Sequence, residues 1–357
     1  MTTDSNPTID VRDGEQLDLT AIDRCLKDNI ENLQGTPVIS QFPSGASNLT
    51  YSVKYDNREL VLRRPPLGTI AKSAHSMFRE YRIMNALKPV YPAVPETLYY
   101  TDSEQSVIGA EFYVMDRVEG YLINNAIPED WNFSAEDTRK LCLSIFDKLI
   151  ELHQVDYKAA GLEDFGRPEG YIKRQVDGWI GRFEKALTDD VGSYEDVRQW
   201  LVEKMPAREV SHAILHGDFR IDNVILSPEN PMDVVAVLDW EISALGDPLM
   251  DLGNTLAYWV EADDSAELRA LIAQPSDAPG MLSRKELLDY YAQKTGTDVS
   301  GFDFYSVYGY FRNAVIIQQI YYRFYHGQTK DQRFAQFGYA VKILLDHCRS
   351  LIAASSL

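Results

Sequence analysis

The sequence predicts an α+β protein of two lobes, a small β-rich one followed by a larger, mainly helical one. Three observations lead there. Short alternating stretches separated by turn residues fill 38–63 and return at 98–101 and 111–116. From about residue 134 onward, apolar residues recur at helical spacing instead. The polar motifs gather near the junction of the two patterns, and a chain of 357 residues is long enough for each lobe to bury its own core.

Taken in order, residues 1–17 are polar and read as a mobile leader. Residues 17–33 carry Leu19, Ile22, Leu26, Ile30 and Leu33 at helical spacing and stop near Gly35. A β-stretch at 38–42 leads into Ser44-Gly45-Ala46-Ser47-Asn48. Residues 49–55 then alternate into an Asp56-Asn57 turn, and 59–63 return as the second arm of a hairpin. A helix is predicted over 75–87, and Pro92 and Pro95 open the connection to the strands at 98–101 and 111–116. Helices are predicted at 134–155, 171–187 and 194–205, then short strands within 214–226 and at 234–238. Further helices follow at 250–261, 283–295, 304–325 and 331–353.

Composition narrows the classes of function. A net charge of −19 opposes binding to a phosphate backbone, which needs clustered Lys and Arg, so no nucleic-acid partner is expected. The same charge could attract a cationic substrate, or serve only to keep an acidic surface soluble. No run of 18 apolar residues and no basic start before an apolar stretch is present, so neither a membrane span nor an export signal is expected. Cys25, Cys142 and Cys348 lie far apart without metal-ligand spacing, which fits a reducing, cytoplasmic setting.

The strongest motif is residues 216–223, HGDFRIDN, flanked by apolar β-formers and followed, after a second apolar strand, by Asp239. Phosphoryl transfer needs one carboxylate to orient the attacking hydroxyl and hard oxygen ligands to fix Mg²⁺ on the phosphates. Asp218, Asn223 and Asp239 supply that set if two strands joined by a tight loop bring them to one edge. A polar strand–turn–strand with capping Asp and Asn residues is the plainer alternative; the added strand and Asp239 favour the catalytic one.

His-Gly-Asp-x₄-Asn followed by a strand-borne Asp resembles the aminoglycoside phosphotransferase/choline kinase superfamily, relatives of the protein kinases. Within it, the chain is most similar to the phosphotransferase family related to the kinase-like domain of acyl-CoA dehydrogenase family members 10 and 11. The stretches that carry the resemblance are 42–51 (FPSGASNLTY), 61–66 (VLRRPP), 166–175 (GRPEGYIKRQ), HGDFRIDN and 239–253 (DWEISALGDPLMDLG). The resemblance as a whole runs from about residue 18 to 345.

The resemblance implies a protein-kinase-like fold, with a nucleotide-binding lobe over 18–116 and a lobe carrying the catalytic loop and acceptor site over 117–357. It implies Asp218 as the catalytic base and Asn223 and Asp239 as Mg²⁺ ligands. Ser44, Gly45, Ser47 and Asn48 fall where a glycine-rich loop would cover the phosphates of ATP. Strand alternation puts Val61 and Arg63 on one face, so Val61 would touch the adenine while Arg63 takes the place of the superfamily's phosphate-binding lysine. Arginine is not a drop-in replacement for lysine, so this position departs from the broader pattern. Glu80 matches the glutamate that pairs with that cation, and Met115 to Val118 match the hinge that reads the adenine edge.

Asp247 before Pro248 reads as a helix N-cap, His216 as a brace of its loop, and Glu241 as a neighbour of the metal with no assigned role. Arg220 is open between an anion contact and a pairing with a neighbouring acid. Arg174, Gln175 and Trp179 belong to a helix that resembles one peculiar to the close family and would line the acceptor pocket. The Tyr- and Arg-rich stretch 304–325 reads as a packing helix rather than a ligand site. The resulting expectation is a Mg²⁺- and ATP-dependent phosphotransferase acting on a small-molecule hydroxyl: a hydroxylated metabolite, a hydroxyacyl-CoA or an aminoglycoside-like alcohol. A catalytically silent kinase-like nucleotide-binding or interaction module is the alternative; neither the acceptor nor the oligomeric state can be read.

Overall fold

A computed structural model describes residues 7–43, 48–66 and 76–357. The elements run α1 (Leu19–Asn29), β1 (Val38–Gln41), β2 (Leu49–Lys54), β3 (Glu59–Arg64), α2 (Met77–Leu87), β4 (Thr97–Thr101), β5 (Phe112–Asp116) and β6 (Tyr121–Leu122). They continue through α3 (Ala135–His153), α4 (Tyr171–Lys185), α5 (Glu195–Glu203), β7 (Ala213–Leu215), β8 (Val224–Leu226), β9 (Val234–Val237) and β10 (Ala244–Gly246). The last are α6 (Pro248–Leu256), α7 (Ala266–Leu271), α8 (Arg284–Thr295), α9 (Asp303–Tyr325) and α10 (Phe337–Ala354). Among the described residues no helix is long and apolar enough to cross a membrane.

Two compact units divide the chain. The first comprises residues 1–122, 159–162 and 223–243. Its antiparallel sheet has the order β1-β2-β3-β5-β4. Alternation sorts its faces: Leu49, Tyr51, Val53, Leu60, Leu62, Phe112 and Val114 pack against Ile22 and Leu26 of α1 to form the core. The residues between them, Val61, Arg63, Tyr113 and Met115, therefore point to the opposite face, where Val61 pairs with Met115 and Arg63 with Tyr113. Helix α2 begins at the N-cap Ser76, whose hydroxyl accepts the Arg79 N–H, and buries a seam of Met77, Glu80, Ile83, Met84 and Leu87. Part of the expected leader is tied down, since Ile9 exchanges two backbone hydrogen bonds with Gln41 and the Tyr51 hydroxyl donates to the Glu15 carbonyl. A second, three-stranded sheet in this unit has the order β6-β8-β9.

The second unit comprises residues 123–158, 163–222 and 244–357 and is mainly helical. Its long helices α9 and α10 bury Phe304, Val307, Phe311, Leu344 and Leu345. Helices α6 and α9 approach closely where a Cβ added to Gly309 would lie 2.2 Å from the Gly253 carbonyl oxygen, so any side chain there would force them apart. The expected strand region 214–226 is two strands in different sheets: β7 pairs with β10, whereas β8 pairs with β6 and β9. Three-residue strands have too little pattern to reveal their partners, which is also why β6, β10 and the short α7 were not expected.

Candidate functional site

In the first unit, hairpin register sets the geometry. Val224 pairs with Val237, and the Leu238 N–H donates to the Asn223 carbonyl at 2.8 Å, which brings Asp239 to the same end of the ladder as Asn223. Asp239 itself is left-handed, with φ 69°. A non-glycine residue there is uncommon, although Asp tolerates it better than most. The turn is planted by Trp240, which is buried against Tyr91 and donates its indole N–H to the Val237 carbonyl.

Onto this hairpin reaches Arg63. Its Nη1 donates to Glu80 Oε1 at 2.5 Å, and its Nη2 lies 3.7 Å from both Asp239 Oδ1 and Glu241 Oε2. Glu80 sits in the apolar seam of α2 with its side chain 1% exposed, whereas the Asp239 side chain is 37% exposed. Burial foremost pushes the Glu80 carboxyl above the ordinary range, against the pull of Arg63. Burial likewise opposes the charge of Arg63, but Glu80, Tyr113, Asp239 and Glu241 together hold it on. Asn48 is buried at the entry to β2 and donates to Glu241 Oε2 at 2.9 Å, so Glu241 connects two members of the expected site. Ser44, Gly45 and Ser47 lie outside the described residues. Val61 and Met115 are buried partners on the Arg63 face, and Val118 follows β5 half-buried.

In the second unit, the loop after β7 is fastened from several sides. Asp251 of α6 accepts the N–H of His216 at 2.7 Å and of Gly217 at 2.8 Å, and His153 Nε2 lies 3.2 Å from the same carboxylate. His153 Nδ1 is in turn 2.9 Å from the Tyr291 hydroxyl. Burial raises the Asp251 carboxyl, but His153, His216 and the Gly217 N–H outweigh it and hold it below the usual carboxylate range. Gly217 has φ 86°, a conformation that favours glycine. The buried His216 ring accepts the Asp218 N–H at its Nδ1, 3.3 Å away. Arg220 is paired with acids of its own loop: its Nη2 is 3.1 Å from Asp222 Oδ2, its Nε is 3.7 Å from Asp218 Oδ2, and its guanidinium lies over the Tyr258 ring.

Three further positions are notable. Asp247 caps α6 through the Leu249 N–H at 2.7 Å and also accepts the Val210 N–H. Arg174 folds back to donate to the carbonyls of Arg167 and Glu169, so its head group serves the turn before α4, while Gln175 accepts from the Trp179 indole. Arg312, in the stretch read as plain packing, is buried and donates to the Gly217 carbonyl at 3.0 Å. Its flank carries Trp179, whose ring centroid lies 5.4 Å from the guanidinium carbon. The signal that could have found it is a lone arginine within a run of buried aromatic and aliphatic residues on α9.

Among the described residues no cluster of three or more His, Cys, Asp and Glu side chains is arranged to hold a metal. The donor set at the β8–β9 hairpin is one amide and one carboxylate at the same end of a ladder. That suits a hard cation which keeps several waters and takes its remaining ligands from phosphates.

Residues 38–287 match the sequence profile of the phosphotransferase enzyme family. The chain is 33% identical over 334 residues to acyl-CoA dehydrogenase family member 11 of Gallus gallus, and 34% identical over 306 residues to family member 10 of Mus musculus. These matches take in 90% and 85% of this chain but span only 41% and 28% of the relatives' own lengths. A Ralstonia eutropha protein assigned to the aminoglycoside phosphotransferases is similar in structure with a TM-score of 0.82 and 27% identity, covering 96% of this chain and all of that one. Choline kinase of Cryptosporidium parvum, 12% identical with a TM-score of 0.61, covers 94% of this chain and 98% of its own, and shares the fold. The kinase-like fold, with its small antiparallel sheet and larger helical part, is thereby shown.

Proposed function

We propose that this chain, which belongs to the phosphotransferase enzyme family, moves the γ-phosphoryl of ATP onto a hydroxyl of a small molecule in a Mg²⁺-dependent reaction. The observation that carries this reading is the junction of the β8–β9 hairpin with Arg63. One ladder end offers Asn223 and Asp239, and a buried Arg63–Glu80 pair brings a guanidinium within 3.7 Å of Asp239. A fixed cation beside two oxygen ligands is what a nucleotide's phosphates require.

Asn223 and Asp239 hold the metal, Arg63 binds phosphate oxygens, and Val61 and Met115 offer the adenine an apolar surface. Mg²⁺ held there supplies charge neutralisation at the β- and γ-phosphates. In the second unit Asp218 accepts the proton of the acceptor hydroxyl. The bond between the γ-phosphorus and the β,γ-bridging oxygen breaks, a bond from that phosphorus to the acceptor oxygen forms, and ADP and a proton leave. Catalysis is then chiefly positioning and fixed electrostatics. The expected division of labour is nucleotide over 18–116 and acceptor over 117–357, with Trp179 and Gln175 of α4 near the acceptor.

The acceptor is a hydroxylated small molecule of a class that a direct screen would identify. Purified chain with Mg²⁺ and ATP is incubated with a metabolite extract and with aminoglycosides, and products that gain one phosphoryl group are found by mass spectrometry. Transfer to any alcohol supports the proposal. ATP binding with neither hydrolysis nor transfer across the whole set would overturn it in favour of a silent nucleotide-binding module.

A further inference from the structure

Gly217 is held by both of its peptide groups. Its N–H is bound by Asp251 of α6, and its C=O by Arg312 of α9. The second of these peptide groups also carries the Asp218 N–H, which the His216 ring accepts. The left-handed Gly217, with φ 86°, would otherwise be the softest point of the loop, and a rotation there would swing Asp218. Residues from two helices meet at this one glycine because α6 and α9 come together at Gly253 and Gly309 without side chains between them.

Arg312 is buried like Asp251 but differs from it in its hydrogen bonding. It is buried with 6% exposure, and its Nη1 has no acceptor at hydrogen-bonding distance among the described residues. A buried guanidinium is costly to keep for neutral partners such as the Gly217 carbonyl and the Tyr258 hydroxyl. Its surroundings are aromatic, with Trp179, Tyr258 and Tyr308 close by, and Asp218 is the one carboxylate among the charges that most favour its protonated form.

We infer that Arg312 is a positioning residue of the phosphoryl-transfer loop: by clamping the Gly217 carbonyl, it sets the direction from which Asp218 meets the acceptor hydroxyl. This rests on the phosphotransferase role given to Asp218 above. Arg312 sits on α9 and touches neither nucleotide nor metal in this assignment, so its loss acts on the turnover step. A displaced carboxylate costs on the order of 100-fold in rate.

The test uses the full chain with Arg312→Gln and Arg312→Lys beside wild type and Asp218→Asn. Rates of ADP formation with Mg²⁺·ATP, alone and with any acceptor found in the screen, are read together with amide exchange of residues 213–223. In Arg312→Gln, kcat is expected to fall roughly 100-fold while KM for ATP stays within about twofold, with Arg312→Lys recovering at least about tenfold of the loss. Exchange should rise at residues 215–220 and not across α6 and α10. A kcat at the wild-type level overturns the inference, as does a loss matched by an equal fall in the folded fraction. If wild type itself turns over nothing above Asp218→Asn, it is the assigned function that fails. Local exchange then decides alone, and an unchanged loop in Arg312→Gln overturns the clamp.

Discussion

Arg63 Nη1 donates to Glu80 Oε1 at 2.5 Å, joining β3 to the buried seam of α2. Glu80 occupies a position where the helix would ordinarily place a leucine, so its carboxylate is stable there chiefly because the guanidinium comes with it. Glu80→Gln keeps the shape and removes the counter-charge. Unfolding free energy is expected to drop by about 3–5 kcal/mol, the cost of leaving one member of a buried pair. Denaturant titration measures it, and an unchanged midpoint would contradict the pairing. Arg63→Lys should keep the fold better than Glu80→Gln but bind ATP about tenfold more weakly, because an ammonium cannot serve Glu80 and phosphate in the same forked geometry.

Asn223 and Asp239 are brought together by ladder register rather than by sequence proximity. Asn223→Ala should therefore leave the hairpin intact and raise the Mg²⁺ concentration needed for half-maximal turnover, by about tenfold or more, while Asp239→Asn should remove the dependence on Mg²⁺ altogether by abolishing turnover. Titration of Mn²⁺ by electron paramagnetic resonance in the presence of ATP reads metal binding without relying on activity. Unaltered Mn²⁺ affinity in both variants would contradict the assignment.

Asp251 gives a prediction for pH. Its carboxyl is held below the ordinary range in the folded state by His153, His216 and the Gly217 N–H, against the opposing effect of burial. In the interval between that depressed value and the ordinary value near ~4, the unfolded chain binds more protons than the folded one. Stability from Asp251 is thus fully present above the ordinary value and lost as pH falls through the depressed one. Asp251→Asn should flatten the acid limb of the stability profile and be less stable at neutral pH by about 3 kcal/mol, since an amide oxygen and NH₂ cannot accept both loop N–H groups. Parallel acid limbs for the two proteins would contradict it.

How much of this could be read in advance differs residue by residue. Alternation in a six-residue strand was enough to place Val61 and Arg63 on one face, and five buried residues on the other face of β2 and β3 confirm the reason. The spacing of HGDFRIDN and Asp239 located the loop and the hairpin, because local sequence determines both. What escaped was long-range. Asp251 grips a loop 34 residues earlier in the chain, and Arg312 grips it from 95 residues later. Neither partnership has a period or a spacing. The sheet partners of β7 and β10 escaped for the same reason, and with them the fact that the loop bearing Asp218 leaves one sheet and enters another. Arg174, expected at the acceptor, has its head group engaged by its own preceding turn, a local contact that side-chain type alone does not reveal.

The central claim is that Asp218 receives the acceptor's proton while other residues hold the nucleotide. Asp218→Asn is nearly isosteric, and the loop around it is fastened by backbone contacts of His216 and Gly217 that do not involve its side chain. The most direct measurement is therefore the rate of phosphoryl transfer by Asp218→Asn, together with its ATP affinity by calorimetry in the same buffer. The expected result is a loss of turnover of at least about 100-fold with ATP affinity within about threefold of wild type. Wild-type turnover in a pure Asp218→Asn preparation would contradict the account.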